Sequence, residues 1–116
     1  MKILVVDDNL LTRSMIKDLL SEMGHEIVGE AENGDEAVRL FKELRPELTL
    51  LDMIMPGKSG LETLQEIKAS DQAAKVVMVT AVQQESLSSQ LLSSGAAAVL
   101  HKPFMYGDLE EVLKTL

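Results

Sequence analysis

The chain has 116 residues, 46% of them hydrophobic and 26% charged, which is typical of one globular domain with a core of its own. The absence of cysteine excludes disulfides and thiolate metal sites, and the formal net charge of −8 disfavours direct nucleic-acid binding, which needs a basic patch. No apolar stretch approaches the roughly 20 residues of a membrane span and no signal peptide is evident, so a cytoplasmic location without membrane attachment is expected.

Strand and helix periodicities alternate along the first half of the chain. Residues 2–7 form a continuous apolar run that ends in turn residues, as in a strand buried on both faces. Asn9 can then cap a helix over residues 10–24. The apolar face of that helix is expected to consist of side chains spaced four apart, namely Leu11, Met15, Leu19 and Met23. The same patterns predict a strand at 25–31, a helix at 35–45 and a strand at 47–52.

The second half of the chain repeats this plan. Ser59 and Glu62 have the spacing of a capping box at the start of a helix over residues 59–70. The elements expected after it are a strand at 75–80, a helix at 85–95, a strand at 97–101 and a helix at 107–116. Short connections between alternating strands and helices predict a single α/β domain over residues 1–116. Its architecture would be a doubly wound, flavodoxin-like sheet of five parallel strands with helices on both faces.

Polar side chains follow four of the predicted strands at the point where each strand ends. Asp7 and Asp8 end the first strand, Asp52 the third and Thr80 the fourth, while Lys102 follows the fifth. Ligands of open parallel sheets bind beyond the carboxyl ends of the strands, so these side chains are expected to converge. Clustered carboxylates repel one another unless a cation neutralises them. An all-oxygen set of ligands favours Mg²⁺.

A carboxylate, Mg²⁺, a lysine and a hydroxyl together suit phosphoryl transfer. An aspartate can attack phosphorus as a nucleophile, and the three cationic or hydrogen-bonding groups can stabilise the equatorial oxygens. Asp52 is the better nucleophile candidate, because it stands alone at the centre of the sheet before the loop 53–60. Asp7 and Asp8 are adjacent and suit metal binding.

Over its whole length the chain resembles a response-regulator receiver domain, the aspartate-phosphorylated module of two-component signalling. The motifs that carry the resemblance occur together and in order. They are VVDDN (5–9), LLDMIMPGKSG (50–60), VMVTA (77–81) and HKPF (101–104), with ENGDEA (32–37) and SSGAAAVL (93–100) in support.

The resemblance implies a role for each of these site residues. Asp52 would be the phosphoacceptor and also a ligand of Mg²⁺. Asp8 would bind the ion directly, Asp7 would hold a metal-bound water, and the backbone carbonyl of Ile54 would be a further ligand. Thr80 would contact the phosphoryl oxygens.

Lys102 would also contact the phosphoryl group, and the resemblance further implies a cis bond between Lys102 and Pro103. A histidine kinase or a phosphotransfer protein would be the donor. The domain would catalyse its own phosphorylation and dephosphorylation without being a turnover enzyme. Its output surface would be the face formed by the helix at 85–95, the strand at 97–101 and the helix at 107–116. Because the chain ends with its last helix, we expect either a stand-alone regulator that binds a downstream protein, as in chemotaxis, or a receiver separated from its effector domain; a phosphorylation-dependent dimer is compatible with both.

Three positions depart from the usual pattern of the family. Val99 stands where the family commonly has Tyr or Phe, whose ring turns inward when the threonine moves. Ile54 and Val82 would flank the phosphoryl group, at positions that are often polar. Apolar side chains there cannot orient an attacking water, which predicts a long-lived phosphorylated form.

Two other classes of protein stay open alongside this reading. A Mg²⁺-dependent aspartyl-phosphate phosphatase would favour a second carboxylate two residues after the nucleophile, where this chain has Ile54. A pseudo-receiver that acts only as an interaction module would be expected to lose the acidic pair, Asp52 or Lys102, and all are present.

Overall fold

Five strands and five helices alternate along the chain in the computed structural model, which describes residues 1–116. The strands are β1 (Lys2–Val6), β2 (Glu26–Ala31), β3 (Leu48–Asp52), β4 (Val76–Thr80) and β5 (Ala98–His101). The helices are α1 (Leu10–Glu22), α2 (Gly34–Leu44), α3 (Gly60–Ser70), α4 (Glu85–Ser93) and α5 (Tyr106–Lys114). All strands are parallel in the order β2-β1-β3-β4-β5, which confirms the doubly wound, flavodoxin-like sheet. None of the helices combines the length and apolar character needed to cross a membrane.

The sheet separates two apolar clusters, because successive side chains of a strand point to opposite faces. Leu51 of β3 packs in a cluster with buried residues of α2, α3 and α4, such as Phe41 and Leu64. Its neighbour Leu50 packs in the other cluster, with α1 and α5. Every residue of β3 is buried, so the central strand reads as a nearly continuous apolar run that ends at Asp52.

The apolar face expected for α1 is wrong in its first half. Leu11 is 81% exposed and Met15 is 45% exposed, whereas Ile16 and Leu20 are fully buried against the sheet. A row of residues spaced four apart drifts by roughly 40° per step around a helix with 3.6 residues per turn. The contact face therefore follows a mixture of three- and four-residue steps.

The loop between β3 and α3 returns directly against the end of β3. The N–H of Gly60 donates to the carbonyl of Met53 at 2.8 Å, and a Cβ at position 60 would lie 2.4 Å from the carbonyl oxygen of Asp52. No side chain fits at this close approach. Ser59 caps α3, because its hydroxyl oxygen accepts a hydrogen bond from the N–H of Glu62. The carboxylate of Glu62 accepts a hydrogen bond from the Ser59 hydroxyl and not from its backbone N–H, so the expected capping box is not completed. Asp52 is thus held at a defined place on the sheet edge.

The observed face of α1 predicts how alanine substitutions there change stability. Ile16→Ala should lower the free energy of unfolding by about 2–5 kcal/mol, because it leaves a cavity against the sheet. Leu11→Ala removes a solvated side chain and should change it by less than about 0.5 kcal/mol. Urea unfolding of both variants tests this, and a similar loss in the two would contradict the observed face.

Candidate functional site

Three aspartates meet at the carboxyl edge of the sheet. Asp7 and Asp8 follow β1 and Asp52 ends β3, its neighbour in the sheet, so their carboxylate oxygens come within 4.8 Å of one another. Asp7 and Asp52 are buried, whereas Asp8 is exposed. We call these three residues the acidic cluster. Its oxygens form the kind of set that could hold a hard divalent cation.

Lys102 follows the edge strand β5 and reaches the acidic cluster at the same end of the sheet. Its ammonium donates to Oδ2 of Asp7 at 3.0 Å and to Oδ1 of Asp52 at 3.2 Å. The bond between Lys102 and Pro103 is cis, as the resemblance implies. The backbone N–H of Lys102 donates to the carbonyl of Thr80 at 2.8 Å, which ties this segment to the end of β4. One cation therefore bridges two carboxylates that come from different strands.

The titration of Asp52 reflects this crowded and desolvated setting. Burial raises the pKa of Asp52, the Lys102 charge and hydrogen bond lower it, and the charges of Asp7 and Asp8 raise it again, with a net increase. For Lys102, burial lowers the pKa, but the hydrogen bond to Asp7 and the charges of both carboxylates outweigh burial and raise it. The ammonium is thus held in its charged form beside Asp52.

Thr80, Ile54 and Val82 lie around the same edge of the sheet. Thr80 is buried at the end of β4, and its Oγ1 accepts a hydrogen bond from the N–H of Val82 at 3.0 Å. Because the hydroxyl accepts here, its own proton remains available to donate. Ile54 lies on the loop after β3 with 67% of its surface exposed, and Val82 is half-buried.

Arg13 is a site neighbour that the sequence reasoning missed. Its Nη1 donates to the backbone carbonyl of Asp7 at 2.6 Å, and its Nε donates to Glu30 of β2 at 2.9 Å. Lys17 donates to the other oxygen of Glu30 at 2.7 Å. The spacing of Arg13 and Lys17 by four residues is a visible signal for one helix face. Their shared partner, Glu30, could be found only by knowing that β2 lies beside β1.

Comparison with known proteins agrees with this fold. The sequence matches the family described as the response regulator receiver domain over residues 3–114, and the chain belongs to that family. It is 42% identical over 116 residues to the chemotaxis protein CheY of Bacillus subtilis, covering 99% of this chain and 97% of that protein. It is 40% identical over 108 residues to the transcriptional regulatory protein PdtaR of Mycobacterium tuberculosis, covering 93% of this chain and 52% of that protein.

A solved structure shows the same fold. In the CheX-CheY-BeF3-Mg complex from Borrelia burgdorferi, the matched chain superposes with a TM-score of 0.97 at 27% identity, covering 99% of this chain and 87% of that one. The protein is accordingly a receiver domain of the CheY and response-regulator type, consistent with signalling that is switched by phosphorylation.

The raised pKa of Asp52 predicts that Asp52→Asn stabilises the metal-free fold at neutral pH. The folded protein binds the proton of this carboxyl more tightly than the unfolded chain does, so the carboxyl's contribution to stability falls as pH rises through the folded-state pKa. The gain in the variant should be fully present above that pKa and shrink as pH falls toward the unfolded-state value. Urea unfolding in EDTA across acidic and neutral pH measures it.

The control is Asp18→Asn, at an exposed position of α1. It should show no comparable gain. A loss of stability in Asp52→Asn at neutral pH would mean that the attraction to Lys102 outweighs burial and carboxylate repulsion.

Proposed function

We propose that this receiver domain accepts a phosphoryl group on Asp52 from a histidine kinase or a phosphotransfer protein, with Mg²⁺ bound at the acidic cluster. The observation that carries the proposal is the bridge from Lys102 to both Asp7 and Asp52 within that cluster. In this function the domain catalyses its own modification and is not a turnover enzyme. Phosphorylation then changes a surface that binds a downstream protein or an effector domain.

The donor groups of the acidic cluster fit Mg²⁺. All are oxygen atoms, and Asp8 is exposed and makes no side-chain hydrogen bond to the rest of the protein. Asp8 and Asp52 would hold the ion, Asp7 would hold one of its waters, and the carbonyl of Ile54 would complete the protein ligands. When bound, the ion supplies positive charge that offsets both the carboxylates and the transferring group.

The remaining groups have clear parts in the transfer. An oxygen of Asp52 forms the new bond to phosphorus while the bond from phosphorus to the donor histidine nitrogen breaks, and the released imidazole takes up a proton. Lys102 shifts its ammonium to a phosphoryl oxygen, since it already lies 3.2 Å from Asp52. The Thr80 hydroxyl donates to another oxygen.

The switch starts from the new charge on Asp52. Movement of Thr80 and Lys102 toward the phosphoryl group pulls on β4 and β5, which pair at Thr80 and His101. The surface formed by α4, β5 and α5 includes one of these strands and would carry the output. Val99 has no ring to turn inward, so the signal must pass through the backbone and the packing of β5.

A pseudo-receiver is disfavoured because it would need neither the acidic pair Asp7 and Asp8 nor Asp52 nor Lys102, and the chain keeps all four. A phosphatase with turnover is disfavoured because Ile54 supplies no general acid two residues past Asp52.

Incubation with acetyl phosphate and Mg²⁺ should add the mass of one phosphoryl group to the wild-type protein and none to Asp52→Asn. The reason is that no other carboxylate both contacts Lys102 and ends the central strand. Intact-protein mass spectrometry reads the result. Equal modification of Asp52→Asn would show that the phosphoacceptor has been assigned to the wrong residue.

A metal control belongs to the same experiment. Asp8→Ala should bind Mg²⁺ much more weakly and lose most of its stimulation by the ion, since a hard cation here has few other charged ligands. Lys17→Met provides a matched surface variant outside the acidic cluster and should retain both. Unchanged Mg²⁺ affinity in Asp8→Ala would remove that residue from the metal site.

The phosphorylated form should be long-lived for its family. Hydrolysis needs a water in line with the leaving carboxylate, and Ile54 and Val82 offer no hydrogen bond to hold it. The double variant Ile54→Asn, Val82→Glu should lose its phosphoryl group about 10- to 100-fold faster, or roughly 1.4 to 3 kcal/mol in barrier height. The decay after donor removal, with Mg²⁺ present, measures this. Equal or slower decay in the variant would mean that these positions do not control the water.

A further inference from the structure

Each polar atom of Asp7 makes a hydrogen bond within the protein. Its N–H donates to the carbonyl of Ala31 at 3.0 Å, and its two carboxylate oxygens accept from the N–H of Asn9 at 2.8 Å and from Lys102 at 3.0 Å. Its backbone carbonyl accepts from Nη1 of Arg13 at 2.6 Å. The donor in the last of these bonds is the positively charged guanidinium of Arg13, which makes the bond stronger than one between neutral groups.

Arg13 is itself held in place by β2. Its Nε donates to Oε1 of Glu30 at 2.9 Å, while Lys17 occupies Oε2 at 2.7 Å. The Arg13 side chain is only 12% exposed, so solvent does not compete freely for these bonds. The hydrogen bond from Lys17 lowers the pKa of Glu30, burial opposes this, and the hydrogen bond from Arg13 lowers it further. The guanidinium is thus fixed at both of its polar edges.

Asp8 lacks comparable support for its own side chain. Its carboxylate is exposed and accepts no hydrogen bond from the protein, so its direction depends on the backbone. The carbonyl of Asp7 and the nitrogen of Asp8 belong to one planar peptide unit. A guanidinium that holds that carbonyl therefore also fixes the peptide plane that contains the Cα of Asp8, which limits the directions that the Asp8 side chain can take.

We propose that Arg13, anchored by Glu30, is a positioning residue that holds the peptide between Asp7 and Asp8 so that the Asp8 carboxylate stays aimed into the acidic cluster. This inference rests on the proposed function, because it assigns Arg13 to the Mg²⁺ site of the receiver. Arg13 binds neither the ion nor the phosphoryl group. It acts through the backbone of Asp7.

An electrostatic role and a positioning role of Arg13 predict opposite changes in Mg²⁺ affinity when its charge is removed. A positive charge near the acidic cluster repels Mg²⁺, so a purely electrostatic role means that Arg13→Met binds the ion more tightly than wild type. A positioning role means that the same variant binds it more weakly. Arg13→Lys keeps the charge but loses the rigid fork that reaches Glu30 and the Asp7 carbonyl together. It isolates the geometric part of the effect.

The test is the Mg²⁺ dissociation constant, measured by NMR titration of the complete chain. Arg13→Met and Arg13→Lys should each weaken binding by about 10-fold or more, the range found when supporting partners of metal ligands are removed. Glu30→Gln should give a smaller loss, because the amide oxygen can still accept one bond. Lys17→Met, which leaves both bonds of Arg13 in place, should stay within about twofold of wild type.

Two further readouts separate positioning from a general loss of structure. Urea unfolding in EDTA identifies any variant that does not fold, and the Asp8 amide signal of the metal-free protein should shift or broaden in Arg13→Lys but not in Lys17→Met. Tighter or unchanged Mg²⁺ binding in folded Arg13→Met would overturn the proposal, as would an unmoved Asp8 amide in Arg13→Lys. A wild-type protein that binds no Mg²⁺ would contradict the proposed function instead, and the amide signal would still decide the role of Arg13.

Discussion

Repulsion among three carboxylates at one edge of the sheet is the constraint on which the site depends. Parallel topology brings the ends of β1 and β3 side by side, which places Asp7, Asp8 and Asp52 close together. Lys102 offsets part of this repulsion through bonds to two of the three. Burial adds to the cost of the charges, as the raised pKa of Asp52 shows. Such a site responds strongly to any added charge, which is the property a phosphorylation switch needs.

The surrounding structure keeps the cluster from relaxing. Gly60 allows the loop after Asp52 to press against the end of β3. Lys58, within that loop, forms ion pairs with Asp35 of α2 and Glu66 of α3, so the loop is tied to two helices. The backbone next to Asp52 is fixed in this way, and its carboxylate is held by Lys102. A divalent cation that binds here would relieve the repulsion among these carboxylates.

Membership of the receiver family leaves room for individual behaviour at a few positions. Val99 packs against the core on the α4 side of the sheet. Ile54 and Val82 place two apolar side chains near the end of the site. Ile54 is exposed on the loop after β3, and Val82 is half-buried just after β4. These side chains leave the acidic cluster and Lys102 untouched, and under the proposed function they would affect the lifetime and output of the signal.

The sequence by itself determined the alternation of strands and helices and the polar residues at the strand ends, because both depend on spacing along a short stretch of chain. Asp52 and Lys102 could be singled out in this way, since parallel strands end at the same edge. The buried face of α1, centred on Ile16, and the bonds of Arg13 were decided only by the tertiary structure. Helical spacing leaves several overlapping apolar rows, and packing against the sheet selects one of them. Arg13 meets Glu30 because β2 pairs with β1, a contact between distant segments that no local pattern encodes.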